Sequence, residues 1–435
     1  MPGAIPRISD ENALHSQQNG RQLEGSGTRQ SPARSNQRMT KATLLIQSTL
    51  ALALFTGACG SEALLQSKES LGEALFHDTN LSMNRSQACA TCHDPDHAFI
   101  DPRRNSSGHI SAFSLGDDGV SFGGRNAPTA AYARFSPPFH VGVRQRHNRR
   151  GNHHTYQGPL GGMFWDGREA NLEGQAGGPP LNPIEMGMPG EAAVVQRLQD
   201  TPDYVRALRD LYGKHVFDTP DAAYNAFKDS IASFERTEQF APFDSRYDRA
   251  LRGDVSLTFK ELTGKSVFFS AFASCAICHQ LHASGDPVMK FNETFTGYEY
   301  QNVGTPGLPG VEADTGLAQN PMFANDPSAR GKFKVPTLRN VAVTEPYMHN
   351  GVFRDLKTVI EFYDRSVNPQ VRAHNPETGA PWADPEIPET VATELLQTAQ
   401  PLTDAEVEGL VCFLRALTDA RYEHLIQDKG IDCAD

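Results

Sequence analysis

Apolar residues recur at helical spacing in several separated stretches of the chain. The first stretch runs from Leu64 to Phe76 and places Leu71 and Leu75 on roughly the same face as its first residue. This spacing predicts an amphipathic helix. The residues Gly72-Glu73-Ala74-Leu75-Phe76 resemble Gly264-Lys265-Ser266-Val267-Phe268. We therefore expect a duplicated helical unit.

Patterns typical of helix starts indicate three further helices. Thr201-Pro202-Asp203 and Thr219-Pro220-Asp221 each combine an N-cap residue, a proline at the first helical position and an acid in the first turn. Thr403 and Glu406 form the pattern of a capping box, and an apolar stripe begins at Val407.

Another helix is predicted from Leu356 to Arg365. Leu356, Val359, Ile360 and Tyr363 fall at i, i+3, i+4 and i+7, so they share one face, which we expect to be buried. On this pattern alone, Tyr363 is one more aromatic residue of the core.

The stretch from Asp94 to Pro189 is rich in glycine, proline, asparagine and histidine and has weak periodicity. So long a loop region inside a globular protein is usually functional. The histidines between His147 and His154 lie among arginines, and we interpret them as a solvated loop rather than as ligands. Strand signals are few. The predicted fold class is therefore mainly α, with long loops and little β.

The length and the charge narrow the class of protein. A chain of 435 residues is long enough for two domains. Its formal net charge is -12, and the acidic excess lies beyond residue 58, because basic side chains outnumber acidic ones before it. An acidic body argues against nucleic acid or an anionic membrane surface as a partner and is compatible with a basic redox partner.

The N-terminal sequence has the pattern of an exported protein. Residues 1–38 are polar and lack periodicity, which predicts disorder or sequence upstream of a true start at Met39. Lys41, an apolar run and the sequence Thr56-Gly57-Ala58-Cys59 then predict a lipoprotein-type signal peptide over 39–58. Cys59 would carry the lipid and hold the protein at the periplasmic face of the outer membrane. A plain secretory signal and a single-pass anchor are the alternatives, although the apolar run is short for a membrane span.

Two cysteine motifs carry the candidate chemistry. Cys89-Ala90-Thr91-Cys92-His93 and Cys275-Ala276-Ile277-Cys278-His279 both read Cys-x-x-Cys-His, the signature of covalent c-type haem attachment. A zinc site would need further cysteine or histidine pairs, and a thioredoxin-like pair would need a βαβ context. Two haem units are therefore predicted, over 62–238 and 254–435, with a polar boundary around 238–254.

Two cysteines remain near the C-terminus once the haem and lipid cysteines are assigned. In an oxidising compartment Cys412 and Cys433 can form a disulfide, which we expect; the alternative is one buried and one free thiol.

The order of further motifs resembles the bacterial dihaem cytochrome c peroxidase and MauG superfamily. These motifs follow the first haem loop and flank the second, between Gly72 and Leu417. They are Arg125-Asn126-Ala127-Pro128-Thr129, Phe164-Trp165-Asp166-Gly167-Arg168, Gln175, Pro179, Glu185-Met186, Pro336-Thr337-Leu338-Arg339-Asn340 and the stretch from Thr344 to Gly351.

The resemblance implies two cytochrome c-like domains in which His93 and His279 are the proximal iron ligands. The first haem would be peroxidatic, and Tyr363 would be the second axial ligand of the other haem, as in the MauG-type branch. Trp165 would relay electrons between the haems, although it can also be read as a core aromatic residue. Glu185 would be the acid-base residue; its alternative role is a helix-entry acid.

The resemblance also implies further pocket residues and a calcium ion. Gln175 and Pro179 match positions that line the peroxide pocket. Asn126, Thr344 and Pro346 match a Ca²⁺ site between the haems that is built from an amide and two backbone carbonyl oxygens. Without the resemblance, Asn126 would be read as a turn or capping residue.

One departure from the family concerns the loop before the Arg-Asn-x-Pro-Thr motif. Members that must be reduced before they react carry a histidine there, which blocks the peroxidatic iron, but Leu115 to Thr129 contains none. Asp118 is about where it would be. The nearest histidine is His109, which we expect on the surface.

These features predict a periplasmic dihaem peroxidase that reduces H2O2 to water with electrons from a small redox protein, a cytochrome c or a cupredoxin. The first alternative is a MauG-like oxidase that uses H2O2 to modify a side chain of a partner protein. The second is a dihaem electron carrier without catalysis. The presence of Glu185, the expected acid-base residue, argues against it. A homodimer is left open.

Overall fold

The computed structural model describes residues 65–146, 155–280 and 292–434. The expected N-terminal extension, the signal peptide, Cys59 and the histidines from His147 to His154 all lie outside these residues. Within them, no helix is both long and apolar enough to cross a membrane.

The described chain is mainly helical. Its α-helices are α1 (Lys68–Phe76), α2 (Cys89–Cys92), α3 (Leu172–Leu181), α4 (Glu191–Gln199), α5 (Pro202–Tyr212), α6 (Pro220–Glu235), α7 (Arg246–Arg252), α8 (Phe259–Phe268), α9 (Leu356–Asp364), α10 (Thr393–Leu396) and α11 (Asp404–Arg415). Its strands are β1 (His140–Gln145), β2 (Thr155–Leu160), β3 (Tyr300–Gln301) and β4 (Phe333–Lys334).

The strands form two small antiparallel sheets. His140 of β1 is paired with Leu160 of β2, and Tyr300 of β3 is paired with Lys334 of β4. The prediction of a mainly α fold with little β is confirmed. The β1–β2 hairpin and α3 were not foreseen, because both lie in the stretch of weak periodicity.

Capping explains where the predicted helices begin. The side-chain oxygen of Thr219 accepts a hydrogen bond from Ala222 N at 3.2 Å, and Thr403 and Glu406 form the expected capping box. Thr201 is the N-cap of α5 but makes no side-chain capping bond. The first helix begins at Lys68, because Ser67 caps it.

Two hydrophobic cores organise the described chain. In the first, α1, α4 and α5 pack on α6, and Leu71, Leu75 and Phe227 are fully buried. In the second, α8 and α9 pack on α11, around Phe268 and Phe413. The predicted Cys412–Cys433 disulfide is confirmed, and it joins α11 to the C-terminal segment.

A glycine lies at the main helix crossing of each core. A Cβ atom placed on Gly72 of α1 would lie 1.9 Å from Ser230 O of α6, and one on Gly264 of α8 would lie 1.8 Å from Gly409 O of α11. Both distances are far below any van der Waals contact, so only glycine fits. These glycines begin the two similar five-residue sequences. The two halves of the chain therefore share a way of crossing helices as well as a short sequence.

The stretch from Glu238 to Asp254, where the sequence predicts a polar boundary, contributes buried side chains to both cores. Phe240 belongs to the first core and Tyr247 to the second, and both are buried. Asp248 of α7 forms a buried ion pair with Arg339 at 2.5 Å. The sequence shows no stripe here because successive side chains serve different cores.

Candidate dihaem active site

The two Cys-x-x-Cys-His motifs fold alike. The first occupies α2 and the second a 3₁₀ turn, Cys275–Ile277. His93 Nδ1 lies 3.1 Å from Phe99 O, and His279 Nδ1 lies 3.0 Å from Phe295 O. A proton held at Nδ1 by a carbonyl leaves Nε2 as the metal-binding nitrogen, the usual arrangement of a ligating histidine.

The carbonyls that orient these histidines are themselves held in place. Phe99 has φ 55° and Phe295 has φ 54°, a left-handed conformation that a non-glycine residue adopts at a cost of about 1 kcal/mol or more. The Thr129 hydroxyl donates to Ala98 O at 2.6 Å, and the Thr337 hydroxyl donates to Thr294 O at 2.7 Å. Each threonine of a Pro-Thr pair thus supports the residue before the strained phenylalanine.

The residues of both motifs fit c-type haem. The four motif cysteines form no disulfide. Burial raises the pKa of Cys89 to about 12 and that of Cys278 to about 12. Burial also lowers the pKa of His279 to about 4, which favours the neutral imidazole that binds iron.

A cavity of about 940 Å³ adjoins the first motif. Cys89, Cys92 and His93 border it together with apolar side chains such as Met163 and Ile231. Four residues singled out in the sequence border the same cavity, namely Trp165, Gln175, Pro179 and Glu185. The fold therefore brings the expected pocket residues to the first motif.

Glu185 lies in the turn that follows α3. Its backbone N–H donates to Asn182 O at 3.0 Å, and its carbonyl accepts from Asp117 N at 2.8 Å. It is not a helix-entry acid, because α4 begins only at Glu191. Burial raises the pKa of Glu185, against the opposing effects of Arg168 and Asn182.

Trp165 is fixed by backbone contacts on two sides. Its indole Nε1 donates to Asn126 O at 2.9 Å, and its own carbonyl accepts from Lys334 N at 2.9 Å. These bonds join it to the Arg-Asn-x-Pro-Thr motif and to β4. The ring borders the cavity and is half-buried.

A charge network surrounds the tryptophan segment. Arg125 contacts Asp166 at 2.6 Å and Asp314 at 2.5 Å, and Arg168 contacts Asp166 at 2.9 Å. Asp166 is fully buried, so its two arginines offset the cost of burying its charge. Asp314 was not foreseen as a member of this network, because it is remote in sequence from the other three residues.

Glu235 and Lys334 border the cavity and were also missed. Glu235 ends α6 and receives no hydrogen bond to its carboxylate from the described residues; burial raises its pKa to about 8. The Lys334 ammonium donates to Gly162 O, and burial lowers its pKa to about 8. These two side chains stand out only because they are buried, and burial of a single charged residue has no sequence pattern by which it could have been predicted.

The three expected calcium ligands, Asn126, Thr344 and Pro346, border the same cavity as the first motif. Asn126 Nδ2 donates to Ala112 O at 3.2 Å, and Asn126 N donates to His349 O at 2.7 Å. Among the described residues there is no cluster of three or more histidine, cysteine, aspartate or glutamate side chains suited to a metal. A site of amide and carbonyl oxygens would not form such a cluster.

Tyr363 lies near the second motif, on α9. Cys278 and Cys275 contribute to raising the pKa of its phenol, after burial, which is the main cause. Yet 37 % of the Tyr363 surface is open, whereas a fully buried face was expected. The phenol is therefore more open than Leu356 and Ile360, which were expected to share its buried face and are buried.

Asp118 and His109, the two residues considered near the first iron, both lie away from the cavity. The Asp118 carboxylate caps its own turn, accepting from Val120 N at 2.9 Å and from Ser121 N at 2.8 Å. His109 is exposed, as expected. Neither residue borders the cavity.

Comparison with known proteins now defines the family. Residues 66–256 match the family model for di-haem cytochrome c peroxidase. The chain is 45% identical to methylamine utilization protein MauG of Paracoccus denitrificans over 83% of its own length and 90% of that protein. The chain belongs to the dihaem cytochrome c peroxidase and MauG family.

Other members are more distant. Cytochrome c peroxidase Ccp of Escherichia coli is 29% identical over 83% of this chain and 60% of that protein. The crystal structure of the diheme peroxidase BthA from Burkholderia thailandensis matches with a TM-score of 0.70 and 29% identity, over 85% of this chain and 90% of that one. Membership makes this dihaem family protein an oxidoreductase with two c-type haems.

Proposed function

We propose that this dihaem oxidoreductase uses H2O2 to oxidise a side chain of a partner protein. The observation that carries the proposal is Tyr363, which lies on α9 near Cys275 and Cys278. In the family this position holds methionine in peroxidases and tyrosine in MauG-type members. A phenolate ligand favours oxidised iron, whereas a thioether favours reduced iron. The second haem would then store an oxidising equivalent instead of receiving electrons from a donor.

Haem held by Cys89, Cys92 and His93 supplies the iron chemistry that splits peroxide. Glu185 takes the proton from one oxygen of H2O2 and delivers it to the other, so that no separated charge develops. Burial raises the pKa of Glu185, which makes its carboxylate a stronger base for the first of these steps. Gln175 and Pro179 shape the pocket beside it. Trp165, held by Asn126 and Lys334, would pass electrons toward the second motif.

Calcium and location are parts of the same proposal. Asn126, Thr344 and Pro346 would bind Ca²⁺, which would rigidify the segment that holds the Trp165 indole. Residues 39–58 would direct export to the periplasm, with a lipid on Cys59 as the membrane anchor. Two cytochrome c-like domains, over 62–238 and 254–435, would carry one haem each.

The second candidate function is peroxide reduction with a small redox protein as the donor. It is favoured by the similarity to the Escherichia coli peroxidase and to BthA, and the same Glu185 pocket would serve it. The acidic body would suit a basic donor.

One experiment separates the two functions. Purified holoprotein is given H2O2 with reduced cytochrome c or a reduced cupredoxin, and separately with periplasmic extract from a strain that lacks the protein. The proposal expects slow donor oxidation and new oxidised side chains in one partner, found by mass spectrometry and dependent on both enzyme and peroxide. Fast donor turnover without a modified protein would establish the peroxidase function instead.

Variants of Tyr363 test the observation that carries the proposal. Tyr363→Phe should open a coordination position and change the low-spin spectrum, and Tyr363→Met should raise the potential of the second haem. Tyr212→Phe, on a partly buried tyrosine outside the cavity, is the matched control. Spectra indifferent to both Tyr363 changes would make it a core residue and remove the main support for protein oxidation.

A further inference from the structure

Tyr132 is a buried phenol at the edge of the first-haem cavity. It belongs to the first core, only 2 % of its surface is exposed, and it borders the cavity that contains His93. Its hydroxyl donates to Asp419 Oδ1, beyond the end of α11. The backbone N–H of Phe243 donates to the phenolic oxygen at 3.2 Å. The phenol therefore has both a carboxylate that can accept its proton and a donor that would remain if the proton left.

Asp419 is built as a buried proton acceptor. It is fully buried, and its second oxygen accepts from Asn340 Nδ2 at 2.8 Å. Burial is the main reason that its pKa rises to about 6, with Arg339 lowering the pKa and Asp244 raising it. The Arg339 guanidinium is itself paired with Asp248. Asp419 therefore remains ionised near neutrality, yet it binds a proton more readily than an exposed carboxylate does.

The duplicated sequence shows that this contact does not require a phenol. Tyr132 follows Thr129 by three residues, as Asn340 follows Thr337, and both have φ 61°. The two equivalent side chains bind the same carboxylate, one with each oxygen. The Asn340 amide makes this contact without any redox chemistry, so a hydrogen bond to Asp419 does not by itself require a phenol.

Other tyrosines that border this cavity lack such an acceptor. Tyr298 shares a hydrogen bond with the Thr294 hydroxyl at 3.0 Å. Away from the cavity, Tyr224 donates to a backbone carbonyl, which cannot take a proton, at 2.7 Å. Tyr212 donates to the Asp229 carboxylate at 2.9 Å but lies outside the cavity. Tyr132 combines a carboxylate acceptor with a place at the cavity.

We infer that Tyr132 is a redox-active residue that stores an oxidising equivalent as a neutral tyrosyl radical, with Asp419 as its proton acceptor. The inference rests on the proposed reaction with H2O2. Reduction of one H2O2 to two waters consumes two electrons and two protons. Tyr132 supplies one of these electrons, its O–H bond breaks, and the proton binds the Asp419 carboxylate. The other electron would come from the haem iron, and solvent would supply the two protons that complete the two waters. When a reductant or a partner side chain returns one electron, the proton moves back.

The inference is tested on the holoprotein with H2O2 and no electron donor. Samples are frozen within milliseconds and examined by electron paramagnetic resonance, with ring-deuterated tyrosine to identify the radical. Optical spectra recorded on the same samples report whether the haems react at all. We expect a tyrosyl signal in the wild type that narrows on deuteration.

The variants then assign the signal. Tyr132→Phe should reduce it to background, and Asp419→Asn, which keeps the shape but loses the proton acceptor, should remove most of it. Tyr212→Phe and Tyr224→Phe should leave it unchanged. If the haems react with peroxide but the signal is absent or survives in Tyr132→Phe, the inference is wrong and the proposed function stands. If the haem spectra do not respond to peroxide, both are wrong.

Discussion

Glu185 is the cavity carboxyl group to which the family resemblance assigns proton transfer. Replacing it with glutamine keeps the shape and removes the proton shuttle. We expect Glu185→Gln to retain both haems and to react with H2O2 about a hundredfold to ten-thousandfold more slowly. Stopped-flow mixing with peroxide measures the rate, and Glu191→Gln, at the start of α4, is the control. An unchanged rate would make Glu185 a structural acid.

The raised pKa of Glu185 also sets a pH dependence. The carboxylate form must accept the first proton, so the rate should fall as the pH drops through this pKa. The fall should begin at a higher pH than that of an exposed carboxyl group and should be missing in Glu185→Gln.

Glu235 is a buried carboxyl group without a hydrogen-bonding partner among the described residues, so it should make stability depend on pH. Its pKa is raised to about 8. The folded state therefore keeps a proton that the unfolded state loses above its ordinary pKa, and stability falls as the pH rises toward 8. Glu235→Gln should match the wild type at pH 5 and be more stable at pH 9 by a few kcal/mol, because a tenfold difference in proton affinity between the two states corresponds to about 1.4 kcal/mol.

Thermal unfolding of the holoprotein at both pH values measures this difference. Glu73→Gln, at an exposed position of α1, is the control and should show no such change. If Glu235→Gln is no more stable at pH 9, the carboxyl group has a partner in the holoprotein.

At the scale of the elements, we predict that the loop from Leu115 to Thr129 decides the resting state of the first haem. It contains no histidine, and Asp118 is engaged in its own turn. We expect a high-spin component in the resting ferric spectrum and a reaction with H2O2 that needs no prior reduction. Two low-spin haems, with a lag in turnover that reductant removes, would contradict this.

Elements with their own local signals were predictable from the sequence. The caps at Thr219 and Thr403 depend only on neighbouring residues, so α6 and α11 could be expected. The repeated five-residue sequence likewise indicated the two similar helices α1 and α8. Helix α3 could not, because several of its residues border the cavity, which replaces part of the core on which a periodic stripe depends. The β1–β2 hairpin could not, because most of its residues are exposed or half-buried. The residues of the candidate site divide in the same way. Both haem motifs are contiguous in sequence, whereas Asp314 and Asp419 reach their partners only through the fold.

At the scale of the molecule, Arg339 joins the two cores. Its guanidinium lies 5.3 Å from the Phe295 ring of the second core and 4.9 Å from the Phe243 ring of the first, and it is paired with Asp248. Removing one partner of a buried pair leaves an uncompensated charge. Asp248→Asn should therefore destabilise the protein by about 3–5 kcal/mol.

Unfolding followed at both haems tests this prediction, and both should melt together at a lower temperature. Asp203→Asn breaks the exposed pair with Arg206 and should cost no more than about 1 kcal/mol. Loss of structure around one haem alone would show that the cores do not depend on this pair.

The glycines at the two helix crossings have a further consequence. With main chain against main chain at Gly72 and Gly264, neither α1 nor α8 can slide or roll on its partner without a steric clash. Each crossing thus fixes the position of the helix that precedes a Cys-x-x-Cys-His loop. A methyl group added at either glycine would push the helix away from its partner and so displace the haem-binding loop that follows. We therefore expect the position required of the haem, more than the loss of buried surface, to limit which residues are tolerated here.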